Sequence, residues 1–204
     1  MIYVVNFPFC NFYSLRRYLR VNNLGFKELT KSVIPLVDDV IILPGVGTFE
    51  QGINFVHQEE IFSLIYNHGF NNGFVLGICL GMQMLLTSSD ESPGIYGLNL
   101  IPGECKVIPE STTFQVPHIG WNELVCSMKL SSSFHQKFLS DADFYFVHSY
   151  HAICASDTSI VSSFRHPSGH LAASIRFKNV FGFQFHPEKS GPAGYKLLNS
   201  ILKP

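Results

Sequence analysis

In the first half of the chain the apolar positions fall into short blocks with little polar alternation, separated by stretches of helical spacing. Residues 2–6, a block near 38–43 and Phe74-Val75-Leu76-Gly77-Ile78 are the three clearest blocks. Such blocks predict strands of a parallel sheet covered on both faces. Between them, residues 12–24 put Leu15, Tyr18 and Leu19 on one helical face, and a second helical pattern runs over 50–68. Behind the third block, Met82-Gln83-Met84-Leu85-Leu86 predicts another helix. The polar cluster at 87–94 reads as one loop.

The second half changes character. Short β-rich segments at 103–109, 119–126, 143–150, 158–164, 171–177 and 180–186 are separated by Ser, Asp and Gly turns, which predicts hairpins. A helix over about 192–203 closes the chain. No fixed-period repeat or low-complexity tract interrupts it. The expected architecture is α/β, a parallel first half with a mixed or antiparallel addition, in a single domain over 1–204.

Composition narrows the function classes. Only 14% of the 204 residues are charged, against roughly a quarter in an average soluble domain, while 46% are hydrophobic. Disorder is excluded, because the apolar surface suffices to offset the ordering entropy. The balance of 14 basic against 15 acidic residues leaves no electrostatic footprint for nucleic acid or an anionic membrane. No apolar run approaches the roughly 18–20 residues of a membrane-spanning helix, and the N-terminus lacks a basic leader and cleavage site. Five cysteines, at 10, 79, 105, 126 and 154, show neither paired spacing nor a CxxC. A cytoplasmic chain without a disulfide framework is expected.

The sharpest local feature is Gly77-Ile78-Cys79-Leu80-Gly81, at the junction of an apolar strand and a helix. A turn of this kind holds its central residue strained, with glycines on either side letting neighbouring backbone come close. Cys79 would sit at a helix N-terminus, which favours thiolate, and the Leu80 amide can donate to an oxyanion. Taken alone, a cysteine between small residues is better read as an inert buried one; the glycines and the junction turn the balance toward a nucleophile.

A cysteine nucleophile needs a base and a group to orient it. Among nine histidines, His186 stands out because it ends the apolar run Phe181-Gly182-Phe183-Gln184-Phe185 and precedes Pro187-Glu188. Proline stops the strand and Glu188 is near enough to hold the distal ring nitrogen. His148-x-x-His151 and His166-x-x-x-His170 lack a third ligand at recognisable spacing, and the first pair falls in a β-rich stretch where i and i+3 face opposite ways. No metal site is predicted. Glu59, Glu60, Asp90 and Glu91, as adjacent carboxylates, read as solvated surface rather than an acid/base pair.

Leu43-Pro44-Gly45-Val46-Gly47-Thr48 follows a buried strand and precedes a helix. It lacks the Gly-Lys-Ser/Thr of a phosphate loop, and its flexibility better suits amides that rotate toward a substrate oxygen. A plain tight βα turn is the alternative.

Together these segments resemble the class I (triad) glutamine amidotransferases. Gly77-Ile78-Cys79-Leu80-Gly81-Met82-Gln83 is similar to their elbow and Phe183-Gln184-Phe185-His186-Pro187-Glu188-Lys189-Ser190 to their His-Pro-Glu segment. Pro44-Gly45-Val46-Gly47, Pro117-His118-Ile119-Gly120-Trp121-Asn122 and Phe146-Val147-His148-Ser149-Tyr150 resemble, within the class, the glutaminase subunits of imidazole glycerol phosphate synthase. The resemblance implies a flavodoxin-like three-layer fold: a central, mostly parallel sheet with helices on both faces and an added antiparallel β segment. It also implies glutamine hydrolysis by a catalytic triad of Cys79, His186 and Glu188, without a cofactor. Val46, Gly47 and Leu80 correspond to the oxyanion positions, a peptide near Val46 having to turn inward. Gln83, Glu91, His148, Ser149 and Tyr150 correspond to positions that hold glutamine. The implied partner is a cyclase subunit, a HisF-like (β/α)8 barrel that receives the ammonia in a heterodimer, and Asn11, Trp121, Tyr145 and Lys189 match positions at that contact.

Two segments depart from the pattern. The first βα turn is Asn6-Phe7-Pro8-Phe9-Cys10-Asn11 where Asp-Tyr-Gly-x-Gly-Asn is usual, and Leu98-Asn99-Leu100 stands where a central glycine is customary. These changes spare the triad and bear on which enzyme is fed. A paralogous glutaminase supplying another synthase, for example one amidating surface sugars, is the alternative; a non-catalytic interaction subunit is a third reading. The low charge content predicts an exposed apolar face beside Cys79, with Phe7, Phe9, Phe12, Trp121 and Tyr145 as its members.

Overall fold

The computed structural model describes residues 1–10, 12–126 and 142–203. The first half runs β1 (Ile2–Val4), α1 (Tyr13–Val21), β2 (Phe26–Glu28), β3 (Val40–Leu43), α2 (Phe49–Gln58), α3 (Phe62–Phe70), β4 (Phe74–Ile78) and α4 (Leu80–Met84). The second half adds β5 (Ser88–Ser89), β6 (Gly103–Val107), β7 (His118–Glu123), β8 (Val125–Cys126), β9 (Asp143–His148) and β10 (Tyr150–Cys154). It ends with β11 (Ile160–His166), β12 (Gly169–Phe177), β13 (Val180–Phe183) and α5 (Gly191–Leu202).

Eight strands form the central sheet in the order β2-β1-β3-β4-β13-β12-β11-β8. The run from β2 to β13 is parallel, and β12, β11 and β8 extend it antiparallel. Successive residues face opposite layers. Ile2, Val4, Ile42, Leu76, Ile78, Phe181 and Phe183 pack with Leu15 and Leu19 of α1 and Leu197, Leu198 and Leu202 of α5. Val5, Ile41, Leu43, Val75 and Val180 pack with Phe49, Ile53 and Val56 of α2, Ile65 of α3 and Met84 of α4. Both sheet faces are covered, which is why these strands show no polar alternation. Two smaller sheets, β10-β6-β5 and β7-β9, lie outside the central one.

Register places the site. β13 pairs parallel with β4, Phe183 opposite Ile78, so the chain leaving β13 toward His186 runs beside the elbow at Cys79. The Cys79 N–H donates to the Phe183 carbonyl at 2.7 Å, extending the ladder one step past the named strands.

Several expectations need correction. The helical pattern at 50–68 is two helices, because Glu60 takes a left-handed φ of 58° between α2 and α3. Amphipathic period carries through a short break, so spacing alone does not reveal it. β2 is an additional edge strand, short and charged at Lys27 and Glu28, a composition that protects edges and hides them from hydrophobic patterning. The polar loop at 87–94 contains β5. The segment 143–150 breaks at Ser149, which resets the alternation and buries both His148 and His151. Phe7 is core: 1% exposed, its ring lies 5.3 Å from those of both Phe9 and Phe55. Aromatic packing thus replaces the turn glycines of the first βα segment. At the other departure, Asn99 adopts φ 49°, the left-handed conformation that asparagine tolerates best after glycine, so the backbone path is kept.

The exposed apolar residues are not confined to one end. Trp121 (55%) and Ile119 (60%) lie on β7, but Ile34 (87%), Leu36 (69%) and Val37 (61%) precede β3 at the opposite end of the sheet. No helix among the described residues is long and apolar enough to cross a membrane.

Candidate active site

Cys79 is the residue between β4 and α4 and carries φ 53°, ψ −106°. That positive φ is a strained backbone for a side-chain-bearing residue, of the kind stored at functional turns. Its flanking glycines are sterically required: a Cβ on Gly81 would collide with the Leu43 carbonyl, and one on Gly77 would stand 2.5 Å from the Gly81 carbonyl. α4 has only five residues, so its dipole is shorter than that of a full-length helix. The sulfur itself sits 3.7 Å from the Val147 carbonyl and 3.7 Å from Gln184 Nε2, in a position 6% exposed.

His186 stands at the turn that follows β13, 2% exposed. Its Nδ1 lies 2.8 Å from Glu188 Oε1, which assigns the Nδ1 proton and leaves Nε2 for chemistry. Nε2 is buried without a hydrogen-bond partner. Burial disfavours the charged imidazole, but the neighbouring Cys79 sulfur and Glu188 carboxylate outweigh it and hold His186 well above its ordinary value. The charged imidazole is therefore favoured.

A cavity of about 250 Å³ opens over Cys79. Val46, Gly47 and Leu80, expected at the oxyanion, line it, as do Gln83, Glu91, His148, Ser149 and Tyr150, expected to hold glutamine, together with Pro117 and Val147. The segment expected to supply an oxyanion amide is turned outward. The Gly45 carbonyl accepts the Leu80 N–H at 3.4 Å, so the Val46 N–H, on the far side of the same trans peptide, points away from the elbow. It lies on the side of Cys10, whose thiol burial pushes up and the Val46 amide pulls back. Gly47 has φ 124° and is covered by the Phe9 ring, so the altered first turn abuts this segment.

The residues expected to hold glutamine make different contacts in the structure. Glu91 Oε2 accepts the Phe49 N–H at 2.7 Å, capping α2, whose own Thr48–Gln51 capping box fixes where the turn ends. Gln83 Nε2 donates to the Tyr150 carbonyl at 3.4 Å and to Gln184 Oε1 at 3.3 Å. The His148 ring is held at both nitrogens: Nδ1 lies 2.7 Å from the Tyr150 carbonyl and Nε2 3.0 Å from His118 Nδ1. The carbonyl has no proton, so His148 Nδ1 donates to it. Burial pushes His148 down to about 3, in keeping with a neutral ring.

Sequence reasoning missed three residues of this assembly: Gln184, His118 and Ser190. Ser190 Oγ donates to the His186 carbonyl at 2.6 Å and accepts the Tyr145 N–H at 3.0 Å. All three lie inside segments already singled out, and a polar residue within an apolar run such as Phe183-Gln184-Phe185 was the available signal. A larger open depression of about 800 Å³ is lined by residues between Glu110 and Ile119, and no cysteine is among them.

Of the four residues expected at a partner contact, Asn11 lies outside the described residues. The other three cluster: the Trp121 and Tyr145 rings are 5.7 Å apart, and Lys189 Nζ stands 6.0 Å from the Tyr145 ring. Tyr145 is half-exposed whereas Phe144 is fully buried. Among the described residues no three or more His, Cys, Asp or Glu side chains are disposed to hold a metal ion.

Residues 10–203 match the family described as Glutamine amidotransferase class-I. The "Imidazole glycerol phosphate synthase subunit HisH" of Carboxydothermus hydrogenoformans is 36% identical over 203 residues, covering 98% of each chain. Its namesake from Methanothermobacter thermautotrophicus is 35% identical, covering 100% of this chain and 98% of the other. That of Prochlorococcus marinus subsp. pastoris is 41% identical over 168 residues, covering 80% and 78%. Among solved structures, a glutamine amidotransferase matches with TM-score 0.71 at 15% identity over 100% of this chain and 99% of the other. PurLQS from Thermotoga maritima matches with TM-score 0.66 at 21% identity over 98% and 96%. At those identities the structural matches speak for the fold alone.

Proposed function

The chain belongs to the class-I glutamine amidotransferases, among the HisH subunits of imidazole glycerol phosphate synthase, and from that membership we infer that it hydrolyses glutamine through Cys79. It is a glutaminase subunit of histidine biosynthesis. The observation that carries the residue assignment is the strained elbow at Cys79 beside a buried His186 whose Nε2 is unpartnered and whose Nδ1 is held by Glu188 at 2.8 Å.

In the mechanism proposed, the Cys79 sulfur attacks the side-chain carbonyl carbon of glutamine while its proton resides on His186 Nε2. The tetrahedral adduct collapses as His186 returns the proton to the departing nitrogen, releasing ammonia and leaving a thioester. Water, deprotonated by His186, then cleaves the thioester to glutamate and frees the sulfur. Glu188 keeps the ring in the required tautomer and stabilises its charged form. The Leu80 and Val46 amides supply the oxyanion hole once the peptide between Gly45 and Val46 rotates, which supports a resting enzyme that awaits its partner.

As a subunit, the protein works with another subunit. The partner proposed is a HisF-like (β/α)8 cyclase that uses the ammonia to form imidazole glycerol phosphate and an aminoimidazole carboxamide ribotide in the cytoplasm. The exposed cluster of Trp121, Tyr145 and Lys189, adjoining the His186 turn, supports that docking face. The whole chain serves as one glutamine amidotransferase domain.

The test is made on the complex with the cyclase. The Cys79→Ala complex is expected to form imidazole glycerol phosphate from ammonium salts and none from glutamine. Glutamine-dependent product from that variant would overturn the nucleophile, and failure of the unmodified complex with both nitrogen sources would overturn the cyclase partner.

A further inference from the structure

We propose that Gln184 is a further catalytic residue, whose side-chain amide donates to the Cys79 sulfur and stabilises it as the attacking thiolate. This rests on the reading of Cys79 as the nucleophile. Gln184 follows β13 directly, is 0% exposed, and reaches the sulfur with Nε2 at 3.7 Å. Its backbone is fixed by donation to the Ala173 carbonyl at 2.9 Å.

An amide side chain presents either a donor or an acceptor, so its effect depends on which end faces the sulfur. The surrounding bonds decide it. The Tyr150 carbonyl has no proton, so Gln83 must turn its NH2 group toward it, at 3.4 Å. The same nitrogen lies 3.3 Å from Gln184 Oε1 and gives it its second N–H. With its oxygen committed to Gln83, Gln184 directs its own NH2 to Cys79.

Besides His186, the sulfur also lies 3.7 Å from the Val147 carbonyl, an acceptor. It suits a thiol, which has a proton to give, and opposes a thiolate. Gln184 does the reverse. When the proton moves to His186, the Val147 bond is lost and the Gln184 bond becomes charge-assisted, strengthening as negative charge develops on the sulfur. A neutral amide provides this at a fully buried position without placing a second cation beside His186. The five-residue α4 leaves such a donor more to do.

The test follows alkylation of Cys79 by iodoacetamide across pH in the full chain, read peptide by peptide because Cys10, Cys126 and Cys154 are also partly exposed. Gln184→Met keeps the length and loses the donor. It is expected to slow Cys79 alkylation at pH 7 about tenfold, the size of one charge-assisted hydrogen bond, and to move the rising limb of the profile to higher pH. With the cyclase present, kcat for glutamine falls in step while KM holds. A folded variant with the unmodified alkylation profile overturns the proposal. If Gln184→Met fails to fold, the side-chain amide resonance of Gln184 in the unmodified chain decides. It is expected to move over the pH range in which Cys79 becomes reactive and to stay still in Cys79→Ala; a resonance flat in both overturns the proposal. Retained glutaminase activity in Cys79→Ala would instead defeat the nucleophile assignment, a separate outcome.

Discussion

His186 donates its backbone N–H to the Tyr145 carbonyl at 2.8 Å, so the proposed base hangs from the strand that carries Tyr145 of the aromatic cluster. Ser190 closes the same junction from the other side, bridging the Tyr145 N–H and the His186 carbonyl. The ring of Tyr145 stands beside Trp121 and Lys189, while its backbone holds His186 and Ser190. In the function proposed, a partner pressing on this cluster would act through Tyr145 directly on His186.

Ser190→Ala removes a buried hydroxyl that makes two bonds. A loss of about 1–3 kcal/mol in stability is expected, with kcat for glutamine reduced and KM little changed. Thermal melting and steady-state glutaminase assays on the complex check both; an unchanged kcat would reduce Ser190 to a structural bridge.

Glu188→Gln keeps an acceptor for His186 Nδ1 but removes the charge. Because Glu188 helps raise His186, its loss lowers the pH at which the ring gives up its proton. Turnover is expected to fall by about tenfold or more. Histidine ring resonances measured against pH show the shift, and an unmoved His186 titration would contradict it.

The outward peptide between Gly45 and Val46 predicts weak glutaminase activity for the chain alone and a large rise on adding the cyclase. Glutamate release measured with and without the partner tests this. Full activity of the isolated chain would show that the oxyanion segment needs no partner to turn.

His68, His118, His148 and His151 are each lowered by burial. Above their unfolded value, near 6.5, both states are neutral and nothing is lost. Below it the unfolded chain takes up protons that the folded chain refuses, removing about 1.4 kcal/mol per pH unit for each such group. The raised His186 acts on the other side: its contribution is complete below 6.5 and lost only as pH climbs through its folded value. The urea midpoint should fall between pH 7 and pH 5, and a flat midpoint would contradict these buried neutral rings.

The sequence by itself determined the features with a local signature. The parallel strands were legible because burial on both faces leaves unbroken apolar blocks, and α1 because Leu15, Tyr18 and Leu19 share a face. The elbow was legible because its glycines are demanded by contacts within a few residues and with the adjoining strand. The break at Glu60 and the short edge strand β2 were not, since neither disturbs the hydrophobic period enough to be seen. Phe7 was misplaced because an aromatic residue in a turn has the same local pattern whether it faces solvent or Phe55. Only the tertiary structure decided how the site is wired: Gln184 against Cys79, Gln83 between Gln184 and Tyr150, and His118 behind His148. Those partners are far apart in the chain, and each amide or imidazole can face either way until its neighbours are in place. The same holds for the peptide between Gly45 and Val46, whose direction is set by the Leu80 N–H across the cleft rather than by any residue of its own turn.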